Sequence, residues 1–204
     1  MILKLSLLLA GAVAFGALVS AAPKQYTFKD PKGVNHIVFM LDAPLEFISG
    51  TGRGVDGTLE YDPANPSATK AMVTLSADSL SVPNPTMKDH MHGQKWMDVS
   101  EHPSIRFELD GFEPSETEGQ RVKGTATGKL SMLGTTREME VPATITFVEG
   151  GAAQRGRGEG ELVVVRSDFT INLSDFGINL NPAEKLKVSD EVQIRAVLAG
   201  YPQP

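Results

Sequence analysis

The residues with the clearest capacity for chemistry are three histidines and two methionines close together near the middle of the chain: His90, Met91, His92, Met97 and His102. Imidazole and thioether groups together suit copper. In a helix, however, His90 and His92 point about 200° apart, so a shared ion requires an extended segment. One hypothesis is therefore a His/Met copper-binding protein with His90, His92 and His102 as ligands. The alternative is a solvated helix whose methionine face packs against the core.

Other patterns typical of catalysis are weak or missing. The chain has no cysteine, which excludes disulfides, zinc ribbons, iron–sulfur clusters and thiol catalysis. It contains neither the G-x-S-x-G nor the H-E-x-x-H motif. Residues 52–57 match G-x-G-x-x-G, but a strand-like segment follows them instead of a helix, so we interpret them as a glycine-rich turn. We therefore expect no catalytic residue and no required cofactor.

The elements that must position any site are short and rich in turns. Of 204 residues, 20 are glycine and 13 are proline, which favours many short elements over long helices. With 19 Lys and Arg against 25 Asp and Glu, the formal net charge is −6. An acidic surface repels polyphosphate, so we expect no nucleic acid partner.

Apolar and polar residues alternate with a period of two along most of the chain. Such alternation places one set on a buried sheet face and the other in water. The clearest apolar sets are 71/73/75, 105/107/109, 130/132, 141/143/145/147 and 192/194/196/198. Turn signals separate these runs, and the long helical crossovers that parallel strands need are missing. The sequence predicts an all-β, antiparallel, up-and-down barrel of about eight strands, because closure removes exposed edges.

One segment departs from this alternation. Residues 85–93 begin with proline and end with glycine, which predicts a short helix near one end of the barrel. Met87 and Met91 would share one face of that helix, and a loop with Trp96 and Met97 follows. This arrangement predicts a lid.

The first 21 residues have the order of a secretory signal peptide. Lys4 precedes an uncharged, apolar run from 5 to 19, and small residues at 19 and 21 precede a cleavage site after Ala21. The apolar run is about 15 residues long, shorter than the roughly 20 that a spanning helix needs. We expect cleavage to leave one exported, periplasmic domain over 22–204.

Four motifs in order give the chain a resemblance to a known family. They are H-M-H-G-Q-K-W-M-D at 90–98 with H-P-S-I-R-F at 102–107, G-K-L-S-M-L-G-T-T at 128–136, S-D-F-G-I at 174–178 and V-S-D-E-V at 188–192. Together they resemble the YceI-like family over about residues 25–200. The resemblance implies a lipocalin-like barrel, exported to the periplasm, that binds a polyisoprenoid or another long-chain amphiphile in an apolar interior.

The residues and the resemblance together predict a non-catalytic carrier. Eight strands enclose either a packed core or one slender ligand, and alternating small and large residues fit both. The expected ligand is an isoprenoid lipid or quinone, and a membrane protein is a candidate for loading or unloading it. Monomer and homodimer both stay open. Two alternatives are the periplasmic copper-binding protein and a barrel enzyme acting on a lipid-like substrate. The predicted ligand-binding residues are Phe39, Leu75, Met91, Trp96, Phe107, Leu130, Met132, Phe147 and Phe176.

Overall fold

The computed structural model describes residues 23–30 and 32–203. The predicted signal peptide lies outside the described residues. The strands are β1 (Lys24–Thr27), β2 (His36–Asp42), β3 (Phe47–Gly52), β4 (Val55–Tyr61), β5 (Lys70–Ser76), β6 (Leu80–Ser81), β7 (Ser104–Glu118), β8 (Arg121–Met132), β9 (Thr135–Val148), β10 (Leu162–Asn172) and β11 (Glu191–Pro202).

These strands form one closed, antiparallel barrel. β1 pairs with both β4 and β11, while β2 pairs with β3 and with another part of β11. We call one strand position of the barrel a row. β1 and β2 are thus the two halves of one interrupted row. The pair β3 and β4 forms a second row, and the pair β5 and β6 forms a third. Together with β7 to β11, these three rows make eight, each paired with its neighbours in the chain. The predicted eight-stranded, up-and-down barrel is confirmed.

Tight hairpins and an alternating core hold this meander together. Between β8 and β9 only Leu133 and Gly134 turn the chain, both with positive φ (54° and 72°). A two-residue loop of that kind has the twist that antiparallel strands need. Inward residues alternate with exposed ones along β4, β8 and the second half of β9. The main core therefore lies inside the barrel.

The predicted short helix is α1 (Pro85–His92). Pro85 occupies the first turn, and the Asn84 side chain caps the helix by accepting a hydrogen bond from the Met87 N–H at 3.1 Å. A four-residue helix, α2 (Gly151–Gln154), lies in the loop between β9 and β10. Single 3₁₀ turns cover Pro66–Ala68, Ala77–Ser79, Leu173–Phe176 and Glu184–Leu186. In the part of the chain that the structure describes, no helix is long and apolar enough to cross a bilayer.

Candidate functional site

A cavity of about 440 Å³ runs through the interior of the barrel. Along β11 its wall extends from Val192 to Leu198, and along β7 from Ile105 to Phe112. Six residues of strand measure about 20 Å, so the cavity is long and narrow. Its volume lies within the usual range of ligand pockets, about 300–1,000 Å³. The interior is therefore a tunnel and not a solid core.

Seven of the nine predicted ligand-binding residues line this cavity. Leu75, Phe107, Leu130 and Met132 do so because they are on the inward side of their strands, as the alternation predicts. Phe39 lines it from β2, while Met91 and Trp96 approach from α1 and the loop after it. The structure thus brings together residues from the middle of the barrel and from the predicted lid. Their role in binding stays a prediction.

The other two, Phe147 and Phe176, lie outside the cavity lining. Ile145 is the last lining residue of β9, and Phe147 lies beyond it, paired with the fully buried Val163, which also does not line the cavity. Phe147 follows the apolar alternation of its strand, but it lies past the end of the tunnel. Phe176 is buried in the 3₁₀ turn after β10, where Leu173 and Ile178 face the cavity instead.

Several lining residues were missed by the sequence analysis, and Phe112 shows why. β7 contains a register irregularity between Leu109 and Gly111. An extra residue of this kind shifts the inward parity by one. Phe112 therefore faces inward after Leu109, although strict alternation would select Gly111. Phe169 carried a usable signal, because it alternates with Val165 and Ile171 on β10, and all three line the cavity.

Cavity-lining phenylalanine rings lie against glycines of neighbouring strands. A Cβ atom added at Gly128 would lie 2.6 Å from the Phe107 ring, and one at Gly124 would lie 2.7 Å from the Phe112 ring. Cβ atoms in real proteins do not come this close to another heavy atom. The glycines thus let these two rings approach the backbone of the neighbouring strand closely.

Aromatic residues close one end of the barrel, which we call the lower end. Tyr26, Phe28 and Tyr61 are each at most 1% exposed. Tyr26 donates a hydrogen bond to the Glu161 carboxylate at 3.2 Å, and burial raises the pKa of Tyr26 further above its ordinary value. Lys24 also contacts Glu161 at 2.7 Å, and its hydrogen bond lowers the pKa of that carboxyl. Buried aromatic side chains therefore pack this end, and Lys24 neutralises the Glu161 carboxylate beside Tyr26.

The opposite, upper end carries α1 and most of the polar lining. Met87, His90 and Met91 line the cavity from α1. Glu46, from the turn between β2 and β3, and Lys187, from the loop before β11, line the same end. An ammonium group, a carboxylate and an imidazole thus surround the upper end of an otherwise apolar tunnel.

The two hydroxyl groups of the wall are held by the backbone. The Ser167 hydroxyl donates to the carbonyl oxygen of Pro142 at 2.7 Å, and the Thr69 hydroxyl donates to that of Pro66. These two, with Glu46, His90 and Lys187, are the polar lining residues of the described wall. The remaining wall offers apolar contact.

The three histidines of the copper hypothesis have separate surroundings. His90 lines the cavity, whereas the Nε2 atom of His92 lies 2.8 Å from the Leu80 carbonyl oxygen. His102 lies beside Gly134 at the turn between β8 and β9. Within residues 23–30 and 32–203, no three His, Cys, Asp or Glu side chains converge as metal ligands would. The geometry gives the copper hypothesis no converging set of such ligands.

Proteins of similar sequence and fold are known. The UPF0312 protein of Pseudomonas savastanoi pv. phaseolicola is 28% identical over 177 residues, which cover 85% of this chain and 82% of that protein. The UPF0312 protein of Pseudomonas aeruginosa (strain LESB58) is 26% identical over 163 residues, covering 77% and 75%.

Two solved structures share the fold at low sequence identity. Burkholderia cenocepacia BcnA superposes with a TM-score of 0.67 at 21% identity, covering 81% of this chain and 95% of that one. A polyisoprenoid binding domain from Saccharophagus degradans, implicated in plant cell wall breakdown, gives 0.65 at 11% identity, covering 89% and 99%. The family model described as the YceI-like domain matches residues 31–199. Since that match spans most of the chain and agrees with the barrel, the protein belongs to the YceI-like family.

Proposed function

We propose that this protein is a non-catalytic carrier that holds a long apolar amphiphile, of the polyisoprenoid or isoprenoid quinone type, inside its barrel. The observation that carries the proposal is the tunnel of about 440 Å³, apolar along its length and closed at its lower end. A slender tail fits such a space, and a headgroup stays at the wetter upper end.

Burial of the tail supplies the affinity. Each buried CH₂-sized group contributes about 0.8 kcal/mol, so one isoprene unit of five carbons contributes on the order of 3–4 kcal/mol. A tail of a few units therefore binds without any polar anchor. The Saccharophagus degradans protein of the same fold is a polyisoprenoid binding domain, which supports the choice of ligand class.

The polar lining supports binding over catalysis. Ser167 and Thr69 donate their hydroxyl hydrogens to backbone carbonyls, so neither is paired with a base. Glu46 and Lys187 form a loose ion pair, with 4.0 Å between carboxylate oxygen and ammonium nitrogen. These charged groups at the upper end suit a headgroup of the ligand.

Export is part of the proposal. The signal-like order of residues 1–21 supports a periplasmic, mature chain that begins near Ala22. Intact-mass measurement of the protein recovered from the cell envelope tests this, because retention of the first 21 residues would contradict it. In the periplasm, loading and unloading by a membrane protein is compatible with either a monomer or a homodimer.

Native mass spectrometry of the protein purified from its own envelope tests the ligand. We expect an adduct that organic extraction removes and that proves to be an isoprenoid lipid or quinone. In a matched pair of variants, Ala143→Phe places a ring in the tunnel, and Glu140→Phe places the same ring on the outer face of β9. The first should lose the adduct and the second should keep it.

The proposal is wrong if wild type carries no extractable amphiphile and takes up none from a mixture of polyprenols and quinones. Equal occupancy of the two variants would also contradict it, because the ligand would then lie outside the tunnel.

A further inference from the structure

Exposed apolar side chains gather at the upper end of the barrel. Among the described residues, the large hydrophobic side chains with high exposure are Leu45 (67%), Phe47 (63%), Leu186 (47%) and Val34 (46%). Leu45 lies in the turn between β2 and β3, Phe47 is the first residue of β3, and Leu186 lies in the loop before β11. Val34 lies apart from them, before β2. Scattered hydrophobic residues need no explanation, but a cluster does.

Direct contacts join the clustered residues into one structure. The Leu45 N–H donates a hydrogen bond to the Leu186 carbonyl oxygen at 2.8 Å. Beside them, Glu46 and Lys187 form their ion pair. On the other side, Lys95 forms an ion pair with Glu184, and this contact lowers the pKa of the Glu184 carboxyl. We call the three connected segments, residues 43–47, 93–96 and 181–188, the rim.

The rim is continuous with the cavity. Glu46 lies between exposed Leu45 and Phe47 in the chain and lines the tunnel, and Lys187 does so next to exposed Leu186. Trp96, at the end of the segment 93–96, also lines the tunnel. All three segments thus bound the tunnel or its end, and two of them, 43–47 and 181–188, also present apolar side chains outward.

The charge of the rim differs in sign from that of the molecule. It contains Lys95, Lys185 and Lys187 against Glu46 and Glu184, which gives +1, whereas the whole chain carries −6. Lys185 has no ion-pair partner among residues 23–30 and 32–203. Lysines beside exposed leucine and phenylalanine are typical of surfaces that enter the headgroup layer of anionic membranes.

We propose that the rim docks on an anionic lipid bilayer, with Leu45, Phe47 and Leu186 inserted among the lipids and the upper end of the tunnel facing them. This rests on the proposed function, because a long apolar tail should move directly between tunnel and membrane without exposure to water. Three apolar side chains are too few for a stable protein interface, which buries at least about 1,000 Å². They are sufficient for shallow, reversible insertion into a membrane surface.

Vesicle flotation tests the docking directly. The lipid-extracted protein is mixed with vesicles of phosphatidylethanolamine and phosphatidylglycerol, or with vesicles of phosphatidylcholine alone. We expect binding to the anionic vesicles, and a loss of at least about tenfold in the double variant Leu45→Ser/Phe47→Ser. The matched control is Val34→Ser, which removes an exposed hydrophobic residue away from the rim and should bind as wild type does. Lys185→Gln should weaken binding to anionic vesicles only.

Three outcomes would overturn the inference. The first is that the wild-type protein does not bind anionic vesicles. The second is that the double variant and Val34→Ser bind equally well. The third is that the protein self-associates in sedimentation and that only the double variant abolishes this association. The last would make the rim an interface between two copies. Flotation of extracted protein does not depend on a filled tunnel, and native mass spectrometry does not depend on vesicles. A failure of docking is therefore distinguishable from a failure of the carrier proposal.

Discussion

The buried ion pair between Arg157 and Asp30 joins two loops of this protein, those before β10 and before β2. The Asp30 side chain is 1% exposed and that of Arg157 is 18% exposed. Asp30 also accepts hydrogen bonds from the backbone N–H groups of Lys32 and Val34, both at 3.0 Å. The Arg157 guanidinium lies 4.9 Å from the centre of the Tyr201 ring, and its Nε has no hydrogen-bond partner in the described part of the chain. Asp30 is therefore the counter-ion on which this buried charge depends.

Asp30→Asn should destabilise the protein by about 3 kcal/mol, since it leaves the Arg157 charge buried and unpaired while keeping the shape of the side chain. The control is Asp168→Asn, which removes another aspartate–arginine pair whose side chains are 63% and 62% exposed. There we expect a change below about 0.5 kcal/mol, because water screens both groups. Urea denaturation of both variants measures the free energies of unfolding. Equal effects would show that burial does not decide the strength of these pairs.

At the same scale, regular alternation identified several of the cavity residues from the sequence. Leu75, Leu130 and Met132 follow the period of two and line the tunnel as predicted. Phe112 was missed because the irregularity in β7 depends on its pairing with β8, which alternation along one strand does not contain. Phe147 follows the alternation but lies outside the cavity lining, because alternation indicates the direction of a side chain and not the depth at which the tunnel ends.

At the scale of elements, Asn35 compensates for the break between β1 and β2. This residue is only 3% exposed. Its side chain donates to the carbonyl oxygens of Phe28 at 2.7 Å and Ala199 at 2.9 Å, and accepts from the Ala199 N–H at 2.8 Å. Between β1 and β2, β11 has no regular strand partner on this side. There the Asn35 side-chain amide pairs with the backbone groups of Ala199 as a neighbouring strand would.

Asn35→Ala should therefore cost about 3 kcal/mol, because several buried backbone groups lose their partners at once. Asn179→Ala is the matched control, since the Asn179 side chain is exposed and makes one bond, to the Gly177 carbonyl oxygen at 3.2 Å. Its effect should stay below about 0.5 kcal/mol. Thermal and urea unfolding report both values. We also expect faster hydrogen exchange at Ala199 in Asn35→Ala, and unchanged exchange there would contradict the proposed role of this amide.

The interruptions themselves were beyond reach of the sequence analysis. Alternation and turn signals predicted the rows of the barrel and the helix at 85–93, because both are encoded by neighbouring residues. The breaks between β1 and β2, between β3 and β4, and between β5 and β6 lie in three adjacent rows. Where a row is interrupted depends on its pairing with the rows beside it, and therefore on segments that are distant in the chain.

At the scale of the whole molecule, the sequence left two interiors open, a packed barrel and a tunnel. The same set of small and large residues suits either, because volume depends on the diameter of the closed sheet and on where the rings lie. The structure has the tunnel, with Phe107 and Phe112 packed closely against glycines of the wall. The stability of a variant whose side chain fills this space distinguishes a tunnel from a packed interior.

In the lipid-extracted protein, Ala143→Phe should change the free energy of unfolding by less than about 1 kcal/mol, since the ring enters empty volume. A packed interior would instead lose roughly 1–3 kcal/mol through overpacking. Added polyprenol should raise the melting temperature of wild type but not that of Ala143→Phe, because only a state that binds ligand is stabilised by it. Glu140→Phe, on the outer face of the same strand, should respond as wild type does. Calorimetry with and without polyprenol measures all three proteins. Strong destabilisation of extracted Ala143→Phe, together with no response of wild type to polyprenol, would mean that the barrel is a filled core in solution.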